Sequence, residues 1–328
     1  MKWARLIAVL GGLGLLAMAA SGAMYLWFAR AVEDPGPLQA SVTVIVAPGA
    51  GVSAIARQMA VAGIVARTWM LVLNARRTGQ DRSLKPGEYR FDPGISVAAV
   101  IGKIVNHEVV VRFVTIPEGL VASEIREIIQ GAEGLAGKLM SPISDGELLP
   151  ETYRYEWGDQ REDVVARMRA AKAAAVSELW AARAPDLPLN SPEEAVVLAS
   201  IVEKETGLVS ERAQVAAVFI NRLRRGMKLQ SDPTVLYGLS RAGDRDGLTT
   251  ADLEHPTAFN TYVIPGLPPS PICNPGRAAL AAVLNPAVSV DLYFVADGTG
   301  GHAFAATLSG HNRNVARWRE FQRQNDLR

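Results

Sequence analysis

The 328-residue chain has one cysteine, Cys273. No disulfide can form within it, and a metal site built on several thiolates is excluded. Histidine is scarce as well: His107, His255, His302 and His311 are all there are, with no HExxH or other close ligand spacing. G-x-S-x-G and S-x-x-K are missing, which removes the usual signatures of a serine nucleophile. Charge of one sign is not in excess. Thirty-four Lys and Arg against 33 Asp and Glu leave a net charge of +1, so nucleic acid is not an expected partner. No phosphate-cradling loop stands out either, since the glycines at 11–14 fall inside an apolar run.

That run, LIAVLGGLGLLAMAASGAMYLWF (6–28), carries no charged residue. As a helix it would be about 35 Å long, enough for a hydrocarbon core of roughly 30 Å. Lys2 and Arg5 precede it, and Glu33 and Asp34 follow soon after Arg30, a bias that favours a cytoplasmic N-terminus. Tyr25 and Trp27 fall where an aromatic belt would lie. The small residues near 17–21 admit a cleavable signal peptide as the rival reading. The apolar run continues past any such site, which favours an uncut single-pass anchor over residues 1–30. Both readings put the rest of the chain outside the inner membrane.

After a linker at 31–40, two segments share one grammar. Residues 42–65 and 111–130 each read as a β-branched strand, a Pro-containing turn and an amphipathic helix, with Pro48 ahead of Ile55 and Pro117 ahead of Ile125. Between them, LKPGEYRFDPG (84–94) reads as a strand flanked by turns and 95–105 as a short helix, so 41–110 is expected to be a small α+β module. Residues 148–155 suit a strand or an ordered loop, and 161–184 a long helix. Ser191-Pro192-Glu193-Glu194 is a strong helix start, with Gly207 as its stop. A second helix is expected from Ser210-Glu211 to Arg225, a third near 276–284, a β-hairpin over 291–307 and a closing polar helix over 309–325. The larger part, 111–328, is therefore also α+β.

The stretch LASIVEKETG (198–207) places carboxylates at the end of an almost wholly apolar helix. At 100° per residue, Val196, Ala199, Ser200 and Glu203 share a face, partly lined by small side chains that would leave room for a ligand. Glu205 lies about 160° round, toward solvent or a basic partner on this reading. A carboxyl group at the end of a buried helix is costly to ionise, so its pKa rises and it can act as a general acid. Cleavage of a glycosidic bond needs that ability. Spacing alone equally allows Glu203 a structural role, paired with Arg222 or Arg224.

Several long motifs in one order then narrow the reading. LASIVEKETG, VFINRLRRGMKLQSDPTVLYG, HPTAFNTYVIPGLPPSPICNPG and YFVADGTGGHAF together resemble the YceG-like family of endolytic murein transglycosylases. The resemblance covers nearly the whole chain. It implies a membrane anchor, a LysM-like module over 41–110 and a catalytic domain over 111–328. The implied activity is cleavage between MurNAc and GlcNAc in nascent peptidoglycan glycan strands, leaving a 1,6-anhydro-MurNAc end. No cofactor and no metal are implied; peptidoglycan synthases are implied partners. The catalytic domain would be periplasmic. The first glutamate of I-V-E-K-E-T is the implied general acid and then base, which places that role on Glu203; Lys204 and Glu205 are read as lying behind it or at the surface.

Other groove residues are expected from their chemistry. Ser200, Gln230, Ser231 and Asp232 can bond sugar hydroxyls and N-acetyl groups, Asn260, Thr261 and Tyr262 form a polar and aromatic trio, and Tyr237 can stack on a sugar face. His302 and Phe304 follow the hairpin tip and could reach the site. Each of these also suits loop bracing. Two rival functions remain at this point: a muramidase using Glu203 with Asp232, and a non-catalytic membrane-anchored scaffold. The LysM-like module has its own alternative, a spacer setting the height of the catalytic domain.

Overall fold

The computed structural model describes residues 2–239 and 248–325. The chain divides into two units. One takes Met1–Arg112 with Tyr155–Gly158, the other Phe113–Arg154 with Asp159–Arg328.

The first unit begins with helix α1 (Lys2–Ala31), within which Val9–Ala31 is long and apolar enough to cross a membrane. Strand β1 (Val42–Val46), helices α2 (Val52–Val61) and α3 (Thr68–Arg77), strand β2 (Gly87–Phe91) and helix α4 (Val97–Val105) follow. β1 and β2 pair antiparallel, from Val42 opposite Phe91 to Val46 opposite Gly87. Alternation in β1 sends Val44 and Val46 inward, where Ile55, Met59, Leu71, Tyr89, Phe91, Ile101 and Ile104 complete the core. Ser96 caps α4 by accepting from the Ala99 amide at 3.2 Å. α1 is tied into this unit at its end. Phe28 and Val32 are buried in the same core, and the Phe28 ring stacks on Trp69 at 6.0 Å. Tyr25 and Trp27 remain exposed.

The chain moves between units within a strand pair, β3 (Val111–Thr115) with β4 (Thr152–Glu156). Helix α5 (Ala122–Gly131) lies between them in sequence, so the second strand-turn-helix segment forms as read, its strand taking a partner of its own. The second unit continues with α6 (Arg161–Ala181), α7 (Pro192–Glu205), α8 (Arg212–Arg224), the short helices α9 (Asp232–Gly238) and α10 (Thr250–Glu254), α11 (Arg277–Leu284), the hairpin β5 (Tyr293–Ala296) and β6 (His302–Ala305), and α12 (Leu308–Gln324).

Its core is the packing of α7, α8 and α11, through Leu198, Ile201, Val202, Val215, Phe219, Leu280 and Val283. α7 is buried on every side from Ala195 to Val202, which accounts for its unbroken apolar sequence. Its start follows the expected chemistry with one change. Ser191 Oγ accepts from the Glu194 amide at 3.3 Å, but the Glu194 carboxylate reaches the amide of Asn190, at 2.7 Å, one residue further back. Asn274 clips the long loop before α11 onto the start of the unit. Its Oδ1 accepts from Leu148 N at 3.0 Å, and its Nδ2 donates to Leu120 O at 3.1 Å.

Candidate active site

The two glutamates of the α7 terminus have opposite surroundings. Glu203 is walled in, its side chain 4% exposed. One carboxylate oxygen accepts from Arg212 Nη2 at 2.9 Å and the other from the amide of Gly276, the residue before α11, at 2.9 Å. Arg212, 8% exposed, also meets Glu118 at 3.2 Å. Burial, followed by the charge of Glu118, raises the Glu203 carboxyl pKa; the Gly276 amide, Arg212 and the buried Lys172 oppose that. Lys172 itself is pushed down to about 8 by burial.

This geometry differs from the expectation for Glu203 in the partner of its carboxylate. The group joins α7, α8 and the start of α11. Arg222 and Arg224 are not its partners; the pairing runs instead to the first turn of α8. The small-residue face is filled as well. Ser200 is wholly buried, donating to Val197 O at 2.7 Å and accepting from Ile272 N at 3.0 Å, so it braces the loop before α11 and offers nothing to a ligand.

Glu205, read as facing solvent or a basic partner, lines a groove of about 370 Å³ with Arg222, Gln230, Asp232, Tyr262, Tyr293 and His311. The helix ends there because Thr206 turns to an extended conformation (φ −144°, ψ 129°), leaving Glu205 as the last helical residue. Ser231 Oγ donates to its carboxylate at 2.5 Å. Burial lifts the Glu205 carboxyl to about 7, and the charge of Asp232 adds to the rise; the Ser231 hydroxyl, His302 and Arg222 act against it. A carboxyl poised near neutrality in a polar groove suits proton transfer in either direction.

The loop from Leu229 to Asp232 forms one wall. Gln230 holds a left-handed backbone (φ 51°), an uncommon conformation for a residue with a side chain, and its amide donates to Thr261 O at 3.2 Å. Asp232 opens α9, and its carboxylate accepts from the Tyr262 hydroxyl at 2.6 Å. Arg222 forms the floor. Its Nε donates to Leu292 O at 2.6 Å, its Nη1 to Leu229 O at 2.7 Å, and it lies 5.2 Å from the Tyr293 ring centre. Tyr293 stacks with His311 at 5.2 Å, and His311 Nδ1 is buried without a hydrogen-bond partner among the described residues.

Of the residues singled out in the sequence, the groove thus takes Gln230, Asp232 and Tyr262, with Ser231 bonded behind Glu205. Four others are braces. Asn260 is fully buried, its Nδ2 donating to the carbonyls of Asp252, Leu253 and His255. Thr261 is buried against Thr234 Oγ1 at 2.8 Å and Ser231 N at 2.9 Å. Tyr237 donates to Asp145 at 2.6 Å and packs its edge on Phe259, away from the groove wall. His302 is clamped by Glu211, Nδ1 to Oε2 at 2.7 Å and amide to Oε1 at 3.0 Å, with Phe294 and Phe304 at its edges. It acts on Glu205 through its charge. Glu205, Arg222, Tyr293 and His311 were not read as groove residues. For Glu205 the available signal was its position at the helix terminus, immediately before the bend at Thr206.

With the site's geometry established, comparison with known proteins identifies the family. The YceG-like family model matches residues 44–317. The chain belongs to the YceG-like family. It is 33% identical over 169 residues, 52% of its length, to a Bacillus subtilis protein named endolytic murein transglycosylase, and covers 46% of that protein. It is 27% identical over 359 aligned positions, 94% of its length, to the Streptococcus pneumoniae D39 protein of the same name, covering 64% of it. The chain therefore spans about half to just under two thirds of the length of these relatives. A crystal structure of a YceG-like protein from Listeria monocytogenes superposes with a TM-score of 0.50 at 26% identity, over 83% of this chain and 98% of that one. The YceG-like fold follows from this agreement.

Proposed function

We propose that this YceG-like chain is an endolytic lytic transglycosylase of peptidoglycan, anchored in the inner membrane by α1, with the second unit in the periplasm. The observation that carries the reading is the Glu205 carboxyl, lifted to about 7 in a groove walled by Gln230, Asp232 and Tyr262. The shared name of the two curated relatives supplies the substrate class. Residues 41–110 serve as the LysM-like module, and peptidoglycan synthases remain proposed partners.

The chemistry assigned to Glu205 needs one carboxyl group. Protonated Glu205 gives its proton to the oxygen linking MurNAc C1 to GlcNAc C4. The C1–O bond breaks, and the GlcNAc end leaves as its 4-hydroxyl. The Glu205 carboxylate then takes the proton from the MurNAc C6 hydroxyl, whose oxygen closes on C1. The acid is restored, and no water is consumed. Ser231 holds the carboxylate in place throughout. Arg222, pinned by two carbonyls, keeps a positive charge close to Glu205 and limits how far its pKa climbs.

Asp232, which shares the groove with Glu205, supports a second reading in which it activates water and the enzyme is a hydrolase. Mass spectrometry of glycan products decides between them: anhydro ends support the transglycosylase, reducing ends the hydrolase. Glu205→Gln should release neither. Wild-type turnover by a folded Glu205→Gln protein would remove Glu205 as the acid and return that role to Glu203; no product from the wild-type chain would leave the scaffold reading.

A further inference from the structure

The first unit carries an unusual stretch of charge. Between Asp34 and Asp81 there is no acidic residue, while Arg57, Arg67, Arg76 and Arg77 all fall there and all are exposed. Arg57 of α2 and Arg76 of α3 flank an open groove of about 490 Å³, with Thr68, Trp69, Val72 and Leu73 along its base. Trp69 and Leu73 are 45% and 48% exposed, large apolar side chains between guanidinium groups.

The position of this face relative to α1 gives it meaning. Trp69 stacks on Phe28, and Arg77 donates to the Tyr25 hydroxyl at 3.2 Å, its guanidinium 5.9 Å from the Phe28 ring centre. If the hydrocarbon core begins near Leu6, about 20 helical residues carry it to the neighbourhood of Tyr25. Arg77 then sits at headgroup depth, and α3 runs beside the point where α1 leaves the bilayer. The carboxylates of Glu33 and Asp34 do not oppose this. They line a separate groove with Leu26, Trp27 and Arg30, on the face of α1 turned away from Tyr25 and Phe28.

We propose that the α2–α3 face is a docking surface for the anionic phospholipid headgroups of the bilayer that α1 enters, with Arg57, Arg76 and Arg77 taking phosphate and Trp69 and Leu73 dipping into the interface. The proposal rests on α1 spanning the membrane. Arginine forks match phosphate oxygens, and an amphipathic aromatic ring favours the headgroup layer. A basic segment beside a membrane anchor gains affinity from each Lys or Arg near an anionic surface. A neutral sugar face would use Trp69 but gives no reason for the arginines or for the missing carboxylates. The surface would hold the first unit flat on the membrane.

The test uses the full chain in nanodiscs of phosphatidylcholine, with or without phosphatidylglycerol, doped with a nickel-chelating lipid. A nitroxide is placed in turn at Leu73→Cys, at Asn106→Cys on the far end of α4, and at Leu16→Cys within α1. The buried Cys273 is spared. The expected result is several-fold stronger nickel relaxation at position 73 than at 106, increased by phosphatidylglycerol and lost in the Arg57→Glu/Arg76→Glu variant. Equal relaxation at 73 and 106, while position 16 reports hydrocarbon through oxygen relaxation, would overturn the surface and leave the anchor intact. A label at 16 that reports water would overturn the anchor and the surface with it. A response at 73 to soluble peptidoglycan fragments, indifferent to phosphatidylglycerol, would make the occupant a glycan and overturn the lipid proposal.

Discussion

At the residue scale, Glu203 and Glu205 differ in what meets their carboxylates. Both are desolvated, and both have raised carboxyl pKa values. Glu203 is matched by a buried guanidinium and a backbone amide, so its charge has a fixed partner. Removing it leaves Arg212 with only the half-exposed Glu118. Glu203→Ala should therefore lower stability by about 3 kcal/mol, toward the low end for breaking a buried pair. The folded fraction of that variant should retain turnover; calorimetry with an activity assay on the same sample checks this. Glu205→Gln should behave the other way, folding with unchanged or greater stability and losing activity by more than about a hundredfold, the scale of general acid catalysis. The pH dependence follows from the same carboxyl. Its folded pKa of about 7 lies above the unfolded value of roughly 4.3, so in that interval the folded chain holds a proton that the unfolded chain has released. The stability contribution of the group is complete below the lower value and declines as pH rises through about 7. The acid form is also the catalytically competent one. kcat/KM should fall about tenfold per pH unit above about 7, and a profile flat to pH 9 would rule Glu205 out as the acid.

At the element scale, the helix and strand signals were well marked where burial was one-sided or complete. The start at Ser191, the apolar run of α7, the stripe of α8 and the hairpin β5–β6 all follow from local chemistry. The helix α3 gave little sign of itself, because only Leu71, Asn74 and Ala75 face inward. α9 and α10 are short, seven and five residues, begun by Asp232-Pro233 and Thr249, which read equally as loop. Side-chain direction at the helix end was not legible. A wheel places Glu203 and Glu205 on different faces, yet which face meets a groove depends on α8, the Gln230 loop and α12, all distant in sequence. The polar cluster at Gln230–Asp232 was legible as a site, whereas Asn260 and Thr261 were not distinguishable from it, since loop braces and sugar contacts use the same amides and hydroxyls. Asn274 shows how much such a brace does. Asn274→Ala would strip partners from Leu148 N and Leu120 O, both reached from the loop before α11. With about 1–3 kcal/mol for each unsatisfied buried group, the loss should be about 2–4 kcal/mol, since Leu120 O retains the Asn274 amide as a second donor. Urea unfolding would measure it as a lower midpoint at an unchanged slope.

At the scale of the whole molecule, α1, long and apolar enough to cross a membrane, also belongs to the fold of the first unit. Its Phe28 and Val32 are core residues, and the Ala98 amide of α4 donates to Val32 O at 3.0 Å. A simple anchor would end at the edge of the bilayer and hand over to a free linker. Here the expected linker boundary near residue 31 falls inside a packed region, because the last turn of the run read as one membrane signal is buried in protein. A soluble chain that begins at Glu33 should therefore lose two buried apolar side chains and uncover Trp69. One that begins at Tyr25 keeps them. At about 1.5–3 kcal/mol for each large side chain buried, the shorter chain should be less stable in its first unit by roughly 3–6 kcal/mol. Hydrogen exchange read over β1, α3 and α4 distinguishes this from a general loss, since the α7–α8–α11 core contains none of these contacts and should keep its protection. Equal protection in the two chains would mean that Phe28 and Val32 only lean on a core that is complete without them.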